Sequence, residues 1–267
     1  MGTIGFYGGG NMGQAMLLGL LQAKLYDKAD IFVYDAYAPT LEKINKDFGV
    51  RTLQAADTLI KKSDSIIFAV KPDVLPKVLP QVAKVIKKEQ LVICIAAGVT
   101  IETIADYLGE DQKILRVMPN TPALVGEGMS AVCANQNVTE EELAQTLAIF
   151  SSFGKAVAVP EKMMDVVTGL SGSGPAFVYL FIEALADGAV FEGMPREAAY
   201  EFAAQTVLGA AKMVVATKEH PAALKDRVTS PGGTTIAGVK VLETEGLRAA
   251  AMKAVSAATK KSRELGK

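Results

Sequence analysis

The residues best suited to chemistry stand near the N-terminus. Gly8-Gly9-Gly10-Asn11-Met12-Gly13 has the spacing Gly-x-Gly-x-x-Gly. An apolar run, residues 3–7, precedes it. Residues 11–25 follow, with Met12, Ala15, Met16 and Leu20 at helical spacing. A strand that turns into a helix through this spacing suits a dinucleotide pyrophosphate. Gly8 permits the tight turn, Gly10 lets backbone approach the anion, and Gly13 lets the helix lie close to the sheet. The anion rests on the unpaired amides of the helix start. Asp35 ends a second apolar run, residues 31–34. A carboxylate there accepts from an adenosine ribose 2′-hydroxyl and repels a 2′-phosphate, and residues 36–41 hold no Arg or Lys to offset it. NADH is therefore expected over NADPH.

Later strand ends should complete the crevice. Ala69-Val70-Lys71-Pro72 and Ala96-Ala97-Gly98-Val99 offer small residues against which a flat ring can lie. In Met118-Pro119-Asn120-Thr121-Pro122, two prolines stiffen a loop whose amide and hydroxyl can face a nicotinamide. Each of the three also reads as an ordinary strand-to-helix turn. Gly169-Leu170-Ser171-Gly172-Ser173-Gly174-Pro175 is expected to be a flexible loop that allows close helix packing, with Ser173 as N-cap and a partial ligand role. Thr229-Ser230-Pro231-Gly232-Gly233-Thr234-Thr235 places hydroxyls and glycine amides at a helix start, a nest for a small anion such as a carboxylate. A turn alone does not need those hydroxyls. His220, before Pro221, is expected to be a turn residue and not an acid.

The elements that must position these groups alternate. Strand-like runs fall at residues 65–70, 91–97, 114–117 and 155–159. Helical spacing falls at 74–87 and 101–108, and Thr139 with Glu142 forms a capping box for a helix to about Phe153. Beyond Pro160 only Ala-rich helical stretches follow, at 176–191, 196–217, 236–245 and 247–264. The expected fold is α/β: an N-terminal Rossmann-type parallel sheet over residues 1–160, then an all-helical domain over 161–267. Composition agrees. The 267 residues are 50% hydrophobic and 21% charged, as in a globular protein. A net charge of −1 without a basic stripe argues against nucleic acid. No unbroken run of 18 apolar residues suggests a membrane span. A strand starting at residue 3 leaves no room for a signal peptide. Cys94 and Cys133 lie far apart and form no redox or metal motif, so a reducing, cytoplasmic setting is expected. The single histidine leaves multi-histidine metal sites and a Ser-His-Asp hydrolase without their residues, and no metal is expected.

In order and over nearly the whole chain, these motifs resemble the pyrroline-5-carboxylate reductase family. The most specific are Ala69 to Pro72, Met118 to Pro122, residues 169–175, and Leu224-Lys225-Asp226 followed by Ser230 to Thr235. The resemblance implies a helical domain that dimerises by interlocking helices, with dimers building into a larger ring, a decamer at its fullest. It implies reduction of 1-pyrroline-5-carboxylate to L-proline by NADH or NADPH. By that likeness Gly8, Gly9, Gly10, Asn11 and Met12 hold the pyrophosphate, and Ala69 to Pro72 with Ala96, Ala97 and Gly98 line the cofactor cleft. Thr234 and Thr235, with the backbone of Ser230, Gly232 and Gly233, hold the substrate carboxylate. The Thr235 hydroxyl lies near the ring nitrogen, and Glu161 matches an acidic position near the substrate. Asp35, Ala56 and Arg227 depart from polar positions of other members, which puts NADPH use in doubt. A β-hydroxyacid dehydrogenase is a rival reading, but Lys212 is followed four residues later by Ala216 where that pattern has Asn. A nucleotide-sensing module without activity would leave the nest after Thr229 unexplained. Apolar residues all around 196–215 suggest burial by a second copy.

Overall fold

The computed structural model describes residues 2–266. The chain divides into two compact units, residues 1–173 with 257–267, and residues 174–256. The expected boundary at Pro160 falls inside the first of them. The helix that begins beyond Pro160 runs on through residue 173 against that unit, and the last turns of the final helix return to it.

The first unit is an eight-stranded sheet with helices on both faces. Its strands are β1 (Ile4–Tyr7), β2 (Ile31–Tyr34), β3 (Arg51–Leu53), β4 (Ser65–Phe68), β5 (Leu91–Cys94), β6 (Lys113–Met118), β7 (Gly128–Ala134) and β8 (Gly154–Ala158), in the order β3-β2-β1-β4-β5-β6-β7-β8. Its helices are α1 (Asn11–Gln22), α2 (Ala38–Phe48), α3 (Ala56–Lys62), α4 (Leu75–Val82), α5 (Ile101–Leu108), α6 (Glu140–Ser151) and α7 (Met164–Val167). β1 to β6 are parallel, and β1, β2, β4 and β5 are apolar along most of their length because both faces are covered. On one face Ile4, Phe6, Val33, Ile67 and Ile93 pack with Met16 and Leu20 of α1 and Ile149 and Phe150 of α6. On the other, Tyr7, Ile66, Phe68 and Val92 pack with Leu59, Leu79 and Ile104 of α3, α4 and α5. The strand order reverses between β1 and β4, which opens a crevice beyond their carboxyl ends.

The spacing of apolar residues does not reveal β3, α2, α3 or β7. β3 is three residues long and half-exposed. β7 also breaks the expected parallel sheet by running antiparallel to β6. Residues 119–127 between them form little more than a 3₁₀ turn over Thr121–Val125. A parallel return needs a dozen or more residues, so the chain can only double back. The capping box forms as the spacing predicts: Thr139 Oγ1 accepts from Glu142 N and Glu142 Oε2 accepts from Thr139 N at 2.9 Å.

The second unit is helical: α8 (Gly174–Phe191), α9 (Arg196–Thr217), α10 (Pro221–Val228), α11 (Thr234–Thr244) and the first half of α12 (Leu247–Leu265). α8 and α9 meet through small residues, Ala186, Ala199 and Ala203, and α10 and α11 bury no residue. Phe191, Phe202, Val215 and Met252 lie largely in the open. By length and composition, the unbroken helical stretch Glu161–Phe191 is also apolar enough to cross a bilayer, although Glu183 and Asp187 interrupt its apolar residues. An apolar surface of this extent requires a cover.

Candidate active site

The glycine-rich turn joins β1 to α1 at the crevice, and each glycine of the motif has its own steric reason. Gly8 has φ +109, and a Cβ there would lie 2.6 Å from the Ala69 carbonyl oxygen. A Cβ on Gly13 would lie 2.8 Å from the Gly8 oxygen, so that glycine sets how closely α1 seats on the turn. Gly10 differs: a Cβ there would meet nothing within 4 Å. The backbone there is open to approach. Gly10 is also the N-cap of α1 and has no side chain to cap it, so the first amides of α1 are free to donate. The turn is held from behind. Gly8 N donates to Tyr34 O at 2.8 Å and Gln14 Nε2 to Gly9 O at 2.8 Å.

Asp35 stands beside this turn and is part of its scaffold. One carboxylate oxygen accepts from Gly9 N at 2.8 Å and the other from Tyr37 N at 2.8 Å. Each oxygen keeps the capacity to accept a further hydrogen bond. The neighbouring strand ends bring in Ala69, whose N–H donates to Tyr7 O at 2.9 Å, and the loop of Ala96, Ala97 and Gly98, with Gly98 at φ +78. Val70, Lys71 and Pro72 continue the wall from β4, and Lys71 and Pro72 are exposed.

Asn120 is placed differently from expectation. Its side chain is buried, Nδ2 donates to Ser171 O at 3.0 Å, and Oδ1 accepts from Met129 N at 2.8 Å. The reason lies in Pro175. A helical carbonyl at Ser171 would receive the N–H four residues on, and proline has none. Asn120 supplies the missing donor and pins the β6 loop. Residues 169–175 are not a flexible loop: α7 passes through a π-helical turn, Thr168–Gly172, into α8. Ser173 does not act as an N-cap there. Its hydroxyl donates to Thr168 O at 3.0 Å, and Ser171 and Thr168 likewise donate to carbonyls of the preceding turn. Close packing explains Gly172, where a Cβ would lie 2.7 Å from Met118 Cε.

Glu161 is also spoken for. Oε1 accepts from Ile101 N at 2.9 Å, at the start of α5, and from Arg116 Nη1 at 3.1 Å. Its partner Arg116 is a feature the sequence reading overlooked, because a single arginine in an apolar strand carries no spacing signal. The Arg116 side chain is 7% exposed and that of Glu161 35%. Glu161→Ala should therefore leave a buried guanidinium unpaired and lower the unfolding free energy by about 2–4 kcal/mol, less than a fully buried pair because the carboxylate is partly wet. Denaturant titration measures it. Cys133 and Cys94 are free and buried, and burial raises both thiol pKa values, that of Cys94 to about 11.

The hydroxyl-rich nest lies in the second unit. Gly233 N donates to Ser230 O at 3.0 Å, closing a turn in which Gly232 has φ +69. A Cβ on Gly233 would lie 2.3 Å from Ser230 Oγ. Gly233 is the N-cap of α11 and carries no side-chain cap, so the amides of Thr234, Thr235 and Ile236 point out of the helix start. Thr234 and Thr235 are both exposed. His220 caps α10, its Nδ1 accepting from Ala222 N at 3.2 Å, and Arg227 pairs with Glu219 at 2.9 Å.

A doubly wound sheet with an open, glycine-lined crevice and uncapped amides at its first helix defines a dinucleotide-binding oxidoreductase fold. Residues 3–98 match the family model for NADP oxidoreductases, coenzyme F420-dependent, and residues 161–265 match that for pyrroline-5-carboxylate reductase dimerisation. The pyrroline-5-carboxylate reductase of Escherichia coli (strain K12) is 48% identical over 99% of this chain and 98% of its own length. A solved pyrroline-5-carboxylate reductase from Coxiella burnetii has a TM-score of 0.94 at 36% identity, covering 100% of this chain and 99% of the other. The Plasmodium falciparum pyrroline carboxylate reductase with NADP bound has a TM-score of 0.89 at 36% identity, covering 99% and 98%. The chain belongs to the pyrroline-5-carboxylate reductase family. Its dimerisation region spans the helices whose apolar faces the single chain leaves bare, Glu161–Phe191 included.

Proposed function

We propose that the protein reduces 1-pyrroline-5-carboxylate to L-proline, as the last step of proline synthesis. The observation that carries this reading is the pairing of two anion sites in one chain of this family. One is the open Gly10 backbone at α1, which suits a pyrophosphate. The other is the uncapped, hydroxyl-flanked start of α11, which suits a carboxylate. Gly8, Gly9, Gly10, Asn11 and Met12 hold the dinucleotide, and Ala69 to Pro72 with Ala96 to Gly98 form the wall beside it. A bound nicotinamide supplies the hydride for the imine carbon. Thr234, the Ser230–Gly233 backbone and the Thr235 amide hold the substrate carboxylate. The Thr235 hydroxyl donates toward the ring nitrogen as it gains electron density. Fixing the two reactants in near-attack geometry supplies much of the rate.

NADH is the preferred reductant in this reading. Asp35 is fixed by two backbone amides, so its negative charge cannot turn away from a 2′-phosphate. Asp35→Ser should raise the kcat/KM ratio of NADPH to NADH by about tenfold or more, the effect of removing one like charge at close range. It should weaken both cofactors somewhat, because Gly9 N loses its acceptor. The working form is a homodimer, and the buried reduced thiols suit a cytoplasmic setting. The test is oxidation of NADH and of NADPH at 340 nm, with and without 1-pyrroline-5-carboxylate. Substrate-dependent oxidation is expected with both, faster with NADH. Binding without turnover would favour a sensing module.

A further inference from the structure

The last turn of α12 reaches the residues assigned to the cofactor wall. After leaving the helical unit, α12 returns to the first unit, where Thr259 and Ser262 are buried. Ser262 Oγ donates to Asp165 Oδ1 at 2.7 Å and ties this helix to α7. The tether brings Leu265 and Gly266 over the loop that follows β5. A Cβ on Gly98 would lie 3.5 Å from Leu265 Cβ, and one on Gly266 would lie 2.9 Å from the Gly98 carbonyl oxygen. The chain thus crosses this loop at a point where any larger residue in place of Gly266 would strike its backbone. Pro72, Ala97, Gly98, Thr103, Leu265 and Gly266 line one cleft of about 560 Å³. Three of these, Pro72, Ala97 and Gly98, are residues assigned to the cofactor wall. Leu265 is 67% exposed, an apolar side chain at the rim with little to cover it.

We infer that the C-terminal turn of α12 is a wall of the cofactor cleft, with Leu265 packing against the bound dinucleotide and the Ser262–Asp165 bond holding it there. This rests on the assignment of that cleft to NADH or NADPH. Ser262 is a positioning residue in this arrangement, acting through Leu265 and Gly266. The physical gain is the removal of apolar surface from water on both partners, together with a drier cleft around the ring. Its effect belongs to binding and not to the chemical step.

The experiment is equilibrium binding of NADH to the full chain, followed by the cofactor's own fluorescence, with steady-state kinetics alongside. Leu265→Ala should weaken NADH binding about fivefold, the expected loss for a leucine half-covered by its ligand. Leu265→Met should restore most of the affinity. Ser262→Ala should weaken binding in the same sense, about threefold, by loosening one hydrogen bond to the anchor. In all three, kcat at saturating cofactor and the KM for the imine should stay within about twofold, and Tm for the Leu265 variants within about 2 °C, as for exposed positions. Unchanged or tighter NADH binding in Leu265→Ala would overturn the proposal, as would a fall in kcat with binding intact. Failure of the unaltered chain to bind either dinucleotide would remove the cofactor assignment and this wall with it. The readout is binding, so it remains decisive even if 1-pyrroline-5-carboxylate is not the substrate.

Discussion

Gly10→Val is expected to abolish cofactor binding while leaving the fold intact. The crevice side of Gly10 is open, with φ −67 and no atom within 4 Å of an added Cβ, so the protein itself accepts a valine there. The isopropyl group would occupy the space through which a pyrophosphate reaches the amides of α1. Losing two charge-assisted hydrogen bonds at ~1.5–3 kcal/mol each weakens binding by roughly 100-fold or more. The stability cost is that of a poor N-cap, at most about 1 kcal/mol, or about 2–4 °C in Tm. Gly8→Val provides the contrast. Gly8 combines φ +109 with a Cβ clash against the Ala69 carbonyl, so that variant should lose stability as well as cofactor. Calorimetry and NADH titration on the two variants separate the roles. Retention of NADH affinity in Gly10→Val would remove this turn as the dinucleotide site.

Thr235→Ala is expected to cut kcat about 100-fold, the usual cost of removing one donor aimed at developing charge. NADH affinity should change by less than about twofold, because Thr235 is assigned to the substrate and not to the dinucleotide. Thr235 is exposed in the first turn of α11, and alanine is the better helix former, so stability should hold within about 0.5 kcal/mol. Thr235→Ser keeps the hydroxyl and should retain most of the activity. A threonine hydroxyl does not titrate in the working range, so the pH profile of the alanine variant should keep its shape while its height falls. Unchanged turnover in Thr235→Ala would take the hydroxyl out of the mechanism and leave Thr235 only its amide.

Both variants rest on features legible in the chain. Gly8 to Gly13 announce themselves because three glycines at fixed spacing answer three separate steric demands. The nest from Ser230 to Thr235 is legible because hydroxyls and glycines before a helix have few other uses. Asp35 is legible by its distance from the turn, although its grip on Gly9 and Tyr37 is not. Asn120 misleads. An amide in a loop stiffened by two prolines reads as facing a nicotinamide, and its side chain instead supplies the donor that Pro175, 55 positions later, lacks. Ser173 misleads similarly, because a π-helical turn has no sequence periodicity by which to recognise it.

The sequence by itself determined the alternation of strands and helices, apart from β3, α2, α3 and β7, together with the glycine turn and the family. These follow from local signals: apolar runs, helical spacing, caps, and backbone angles that only glycine adopts freely. The tertiary structure alone decided three things. It decided the reversal of β7, which depends on how far residues 119–127 can reach. It decided the pairing of Glu161 with Arg116 across 45 positions. It decided the return of α12 to the first unit through Ser262 and Asp165, 97 positions apart. The last two are contacts between segments distant in the chain, and the energy of such a contact depends on a partner that no local pattern names. The first turns on a loop too short for a crossover, which shows only once both of its strands are known.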